Sequence, residues 1–187
     1  ELPFPVCIEH RPQMYVGNMD DSGVLTCVRE ILNNSVDEHL AGHCTHIEII
    51  RDGATSFSIR DNGRGIPFDV VDGKNSLSRI FGTLHAGRNF TVKSLYSTGL
   101  NGVGATAVNA LSESFEVTSK RGVEQGYIKF EEGYEKDLKV SPKTKALPKP
   151  YDKSSTTVKF SLATKFFEPD LDVKDEDVER LIHETAY

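Results

Sequence analysis

Between Asp20 and Gly42 the apolar residues keep helical time: Leu25, Val28, Ile31, Leu32 and Val36 fall on one stripe at about 100° per residue. Asp20, Asp21 and Ser22 offer N-caps for that helix, and Gly42 offers a stop. Two β-rich runs follow, "HIEII" and "SFSIR", joined through Asp52-Gly53 in a way that predicts a hairpin. "DNGRGIP" breaks the second strand, "SLSRIFGTLHAG" predicts a short helix, and residues 86–98 show no period. A glycine-rich turn, "TGLNGVG", leads into the apolar helix "ATAVNAL". Strands are expected over 114–119, 125–130 and 156–162, with "KALPKPYDKSS" as a polar loop between the last two. "DEDVERLIHETAY" opens on good caps and predicts a helix, while residues 1–21 read as an extended, proline-punctuated lead. Hairpins mixed with amphipathic helices point to an α+β two-layer sandwich, and no repeat or low-complexity tract interrupts it.

Composition narrows the field in three ways. With 187 residues, 37% hydrophobic and 27% charged, the chain reads as one soluble domain with a sizeable core. No run of apolar residues is long enough to span a membrane, and no signal peptide is visible. A formal net charge of −6 argues against holding nucleic acid mainly by neutralising phosphates, so DNA, if it matters, is gripped by other domains. Cys7, Cys27 and Cys44 are an odd count at wide spacing, which favours free thiols in a reducing compartment. Glu1 in place of a methionine suggests an excised or processed piece.

The long helix carries a second row. Glu30, Asn34, Asp37 and Glu38 lie at i, i+4, i+7 and i+8, and are expected opposite the apolar stripe. A solvated outer face explains such a row in most amphipathic helices. Here, however, no lysine or arginine accompanies the acids, and Asn33-Asn34-Ser35 contributes nothing to helix stability. An amide oxygen among carboxylates is also what a hard cation with phosphate ligands would use.

Two glycine motifs add to this. In "DNGRGIP" Asp61 stands at a strand end before Gly63 and Gly65, where backbone can approach a ligand and a carboxylate can accept from an exocyclic amine; the same letters also make an ordinary turn. "TGLNGVG" sets Gly99, Gly102 and Gly104 before a helix start, a place that suits phosphate, or simply a flexible loop with a cap. It is not a Walker A loop, since no Gly-Lys-Ser/Thr follows, nor does it sit in a βαβ unit. "HCTH", His43 to His46, does not make a zinc site, because adjacent residues cannot all point at one tetrahedral centre.

Together and in this order, the acid-and-Asn helix, D-x-G-x-G and G-x-x-G-x-G resemble the GHKL ATPase superfamily. Its members include type II topoisomerases, the ninety-kilodalton heat-shock chaperone, MutL-type repair proteins and histidine kinases. "RPQMYVG", "NSVDEHLAGHC", "DNGRGIP" and "LHAG" are similar to the ATPase domain of gyrase B and topoisomerase IV B subunits over nearly the whole chain. The resemblance implies a mixed, largely antiparallel sheet covered by helices on one face, and a single N-terminal ATPase domain over 1–187. It implies ATP and Mg²⁺ as cofactors. Glu30 would be the general base that activates water, and Asn34 would coordinate the metal. Asp61 would accept from the adenine amino group with Thr156 assisting through water, and Arg64 would lie over the adenine edge and pair with Glu38. Ile31, Ser35, Ile59, Gly65, Ile66, Pro67, Ile80 and Val158 would line the purine pocket. Gly99, Leu100, Asn101, Gly102, Val103 and Gly104 would form the phosphate loop.

The match departs in places. Arg88-Asn89 stand where bacterial relatives usually carry Gly-Lys, leaving Arg88, Lys93 or Tyr96 as substitutes in the lid. Asn101 stands where bacterial relatives usually carry His, Asn33 replaces an acid, and Tyr127 replaces an arginine that contacts coumarins; these differences point to an atypical source such as a virus. The family's exchanged N-terminal arm and its lysine-bearing transducer domain are expected outside this stretch, so weak turnover is expected of the stretch alone. The implied partners are a second copy through the ATP-bound domain, a DNA cleavage (A-type) subunit or domain, and DNA through other domains, with no membrane. The implied location is cytoplasmic, nucleoid-associated, or the host cytoplasm for a viral protein. The other reading the same motifs allow is a repair clamp or chaperone that uses ATP as a dimerisation switch.

Overall fold

The structure, a computed structural model, describes residues 2–84, 103–141 and 154–185. The lead is not extended. It holds two short helices, α1 (Val6–Glu9) and α2 (Gln13–Val16), which begin directly after Pro5 and Pro12. Proline's fixed φ suits a helix's first turn, so residues that read as punctuation start helical turns instead. They bury Ile8 and Val16 in the core.

Helix α3 (Asp21–Leu40) starts where the caps indicate. The Asp20 carboxylate accepts from the Ser22 and Gly23 N–H groups at 2.9 and 3.4 Å. Gly23 is required by space, because a Cβ there would collide with the Asn18 carbonyl of the incoming lead. The helix ends at Ala41, with Gly42 taking up φ +80° just beyond.

The hairpin of β1 (Ile47–Arg51) and β2 (Ser56–Asp61) forms as expected. A small ribbon, β3 (Val70–Val71) and β4 (Lys74–Asn75), turns through Asp72-Gly73, both at positive φ. Asn75 then caps α4 (Ser76–Gly82), and α5 (Gly104–Ala110) opens the next described stretch. The remaining strands are β5 (Ser112–Arg121), β6 (Glu124–Glu131), β7 (Tyr134–Ser141) and β8 (Ser155–Leu162), followed by α6 (Asp175–Thr185). Strand β7, "YEKDLKVS", carried no apolar alternation because it is an edge strand whose side chains stay largely in water.

The sheet runs β1-β2-β8-β5-β6-β7, and every pairing among the described residues is antiparallel. Register aligns its inner face in rows. Ile59, Val158, Val117 and Ile128 form one, and Phe57, Phe160, Phe115 and Phe130 another. Phe57 stacks on Phe160 at 5.7 Å between ring centroids, and Phe115 meets Phe81 of α4 at 5.6 Å. Helices α3, α4 and α5 cover these rows, and α6 packs on α3 through Val178 and Leu181. The opposite face shows Arg60, Lys159 and Glu116 to solvent. The two-layer α+β architecture is therefore observed, and no helix among the described residues is long and apolar enough to cross a membrane.

Phe115 contacts aromatic rings from both layers, so Phe115→Ala should lower stability by about 3–5 kcal/mol. Denaturant titration checks this; a loss below about 1 kcal/mol would mean that the rows do not pack as described.

Candidate functional site

The third row of the inner face is polar: Asp61, Thr156, Ser119 and Gly126 stand side by side on β2, β8, β5 and β6. The segment after Asp61 runs across the end of the sheet over these strands in turn. Gly65, at φ +74°, passes against the Lys120 carbonyl; the Ile66 carbonyl accepts from the Ser119 hydroxyl at 2.7 Å; Phe68 fills the space above Gly126. The two-residue strand period thus turns the end of the apolar core into a shelf of hydrogen-bonding groups.

Asp61 is 6% exposed. Its Oδ2 accepts from the Ser35 hydroxyl of α3 at 3.0 Å and its Oδ1 from the Gly63 N–H at 2.9 Å. Burial pushes its carboxyl above the usual range; the bonds from Gly63, Ser35 and the Thr156 backbone oppose that, and the Glu38 charge adds to it. Glu38 behaves in the opposite way. It is 3% exposed and takes three donors from one residue: Arg64 N–H at 2.9 Å, Nε at 2.8 Å and a terminal guanidinium nitrogen at 2.9 Å. Burial works to raise its pKa, but Arg64 outweighs burial, with help from His43, and the carboxyl lies below its ordinary value. A Cβ on Gly63 would collide with the Glu38 side chain, so glycine is what lets the loop close down on α3.

Glu38 therefore does not lie opposite the apolar stripe, as the row with Glu30 suggested. It is one heptad on from Ile31 and shares the buried face with Ser35. Glu30, Asn34 and Asp37 are only partly buried, and none of their side chains has a hydrogen-bond partner among the described residues. Burial raises the carboxyls of Glu30 and Asp37; for Glu30 the charge of Arg29 opposes this. The Glu30 carboxylate lies directly against Gly104, at the first turn of α5, where a Cβ would strike it. α5 has no side-chain N-cap. Partnered by nothing else described, Glu30 and Asn34 offer oxygen ligands of the kind a hard cation uses alongside phosphates. No group of three or more His, Cys, Asp or Glu side chains that could hold a metal ion is present among the described residues.

Residues 19–163 match the family model described as "Histidine kinase-, DNA gyrase B-, and HSP90-like ATPase". The chain belongs to this family. Within it, the chain is 40% identical over 156 residues to the DNA gyrase B protein of Haloferax volcanii, covering 82% of this chain and 24% of that protein. It is 39% identical over 165 residues to the DNA topoisomerase 4 B protein of Mycoplasma genitalium, covering 86% and 25%. A solved relative, the 43K ATPase domain of Thermus thermophilus gyrase B in complex with an aminocoumarin, superposes with a TM-score of 0.80 at 33% identity. That superposition covers 97% of this chain and 45% of the other. The chain thus spans about a quarter of the length of these curated relatives.

In this member of the family, Asp61, Thr156, Arg64 and Gly65 come together at the shelf with Ser35 and Glu38 of α3. Ile66 and Val158 are buried beside it, and Pro67 and Ile80 are partly exposed. Glu30, Val103 and Gly104 meet where α5 begins. Gly99, Leu100, Asn101 and Gly102 lie outside the described residues, as do Arg88, Lys93 and Tyr96 of the lid. Two contributors were not read from the sequence. Asn62 faces away from Asp61: its Oδ1 accepts from the Thr45 and His46 N–H groups, both at 2.9 Å, and so ties the α3–β1 loop to the motif. Its position between an inward Asp and a glycine was the available signal. Ser119 gave none, because only strand register brings it to Ile66.

The folded-state pKa of Glu38 lies below its ordinary 4.5. The pair therefore stabilises the fold above that value and loses its contribution as pH falls through the folded pKa. Glu38→Gln should cost roughly 1–3 kcal/mol near neutral pH. The gap to the parent chain should close on acidification below about pH 4.5, as chemical denaturation across pH can measure. A gap independent of pH would remove charge from the explanation.

Proposed function

We propose that this chain is the ATP-binding and ATP-hydrolysing module of a type II DNA topoisomerase, a B-type subunit. The observation that carries the reading is the contact of the Glu30 carboxylate, unpartnered among the described residues, with Gly104 at the α5 start, Glu30 lying on the same helix α3 whose Ser35 holds Asp61. About 7.5 Å of helix rise separates Glu30 from Ser35, so one rigid element carries both ends of a nucleotide site. The gyrase B and topoisomerase 4 B relatives support the wider assignment.

Asp61 accepts the adenine amino group, assisted by Thr156 on the neighbouring strand. Ile66, Pro67, Ile80 and Val158 supply apolar walls, and Arg64, locked by Glu38, closes one edge. Asn34 holds Mg²⁺, which when bound neutralises charge on the phosphates. Glu30 takes a proton from the attacking water, and partial burial moves its carboxyl towards working pH, which suits a base. Phosphoryl transfer to water needs little more than this: positioning, neutralisation and one base. Closure of two such modules on each other would then couple turnover to passage of DNA held elsewhere in the protein.

Asp61→Asn and Glu30→Gln separate binding from chemistry. Asp61→Asn should weaken an ATP analogue by roughly 1–3 kcal/mol in calorimetry of this chain. Glu30→Gln in the full-length protein should leave binding nearly intact and lower kcat by about 10²–10⁴-fold. The reverse pattern would exchange the two roles, and no effect in either would sink the site.

The wider assignment is tested by DNA topology. Full-length protein with its cleavage partner should relax or unlink DNA rings only when ATP is present, and a non-hydrolysable analogue should support at most one round. Turnover of ATP with topology unchanged would replace the topoisomerase reading by a repair clamp or chaperone.

A further inference from the structure

The junction of α4 and α5 contains a buried amide that nothing above uses. Asn109 is 0% exposed. Its Nδ2 donates to the Phe81 carbonyl at 3.0 Å, while its buried Oδ1 has no hydrogen-bond partner among the described residues. Earlier on the same helix, the Thr106 hydroxyl donates to the Ile80 carbonyl at 3.4 Å. Both carbonyls belong to the last turn of α4, where a helix has no further N–H of its own to offer. Thr83 leaves α4 in an extended conformation. The C-terminal cap of α4 is thus supplied by two side chains of α5.

Packing alone does not explain an asparagine here. The buried Oδ1 has given up its hydration and gained no donor among the described residues, which costs stability. The same helix buries Ala107, Val108 and Ala110, an environment that suits a leucine of similar size. What asparagine provides and leucine does not is the directional bond to Phe81.

We propose that Asn109, seconded by Thr106, is a positioning residue that fixes α4 against α5. It thereby sets Ile80 on one helix relative to Gly104 and the Glu30 carboxylate at the start of the other. Asn109 touches no ligand itself. The inference rests on the reading above, in which Ile80 belongs to the purine wall and Glu30 with Gly104 to the phosphate end.

The test uses Asn109→Leu and Thr106→Val in this chain. Each is followed by thermal melting, hydrogen exchange of the α4 amides, and calorimetry with Mg²⁺ and a non-hydrolysable ATP analogue. Asn109→Leu should melt at or above the parent temperature, exchange faster in the last turn of α4, and bind the analogue about three- to tenfold more weakly. Thr106→Val should shift exchange and affinity the same way by less, and the double variant should fall short of the product of the two. Unchanged exchange and affinity in Asn109→Leu would overturn the proposal. So would a lower melting temperature with both unchanged, since that is a structural role alone. If Asn109→Leu does not fold, Thr106→Val decides on the same two readouts. A parent chain that binds no analogue defeats the nucleotide reading instead, and exchange in α4 then decides by itself whether Asn109 holds the helix.

Discussion

Burying the Glu38 carboxylate constrains everything around it. An ionised group that is 3% exposed must be fully hydrogen-bonded or it destabilises the fold by several kcal/mol. Glu38 meets that demand from one residue, since Arg64 gives its backbone N–H and both ends of its guanidinium fork. The arrangement is possible only if the chain at residue 63 comes close enough to α3 that no Cβ fits. From there the loop is committed. Gly65 must pass the Lys120 carbonyl with a positive φ, and the Ile66 carbonyl must meet Ser119. One ion pair therefore joins the long helix, the loop after β2 and the β5 strand into a single rigid corner. The orientation of Asp61 follows from that corner.

Within it, three acids of similar chemistry are set to different states by their surroundings. Glu38 is held charged by Arg64 and is structural. Asp61 is raised by burial while its carboxylate accepts from the Ser35 hydroxyl and the Gly63 N–H. Glu30 is raised by partial burial, its carboxylate has no hydrogen-bond partner among the described residues, and it lies against the first turn of α5.

Much of this was legible from pattern. The caps of α3, the β1–β2 hairpin, the short helix after residue 75 and the apolar helix α5 all come from local rules of spacing and turn chemistry. What stayed hidden was set by contacts distant in sequence. Strand β7 has an edge strand's charged composition, and no local pattern marks it. Pro5 and Pro12 look like breaks until the core recruits Ile8 and Val16 behind them. Glu38 was grouped with the other acids by its chemistry, whereas its angle on the helix, one heptad from Ile31, already placed it on the stripe. Buried charge is improbable without a partner, and Arg64 as that partner came from the family resemblance and not from periodicity. Asn62 and Ser119 act through a loop and through register, neither of which spacing reveals.

The site is also guarded by the register that builds the core. Asp61, Thr156 and Ser119 face inward because Phe57, Phe160 and Phe115 do, an even number of residues away along the same strands. A slip of one residue in β2 or β8 would turn Asp61 or Thr156 out to solvent and bring Arg60 or Lys159 into the aromatic rows. Neither cation has a partner waiting there, so the slipped state pays for desolvating a charge as well as for losing its rings. Packing of the apolar rows thus decides which face of the sheet the polar row occupies, and the Glu38–Arg64 pair then holds the loop that crosses it.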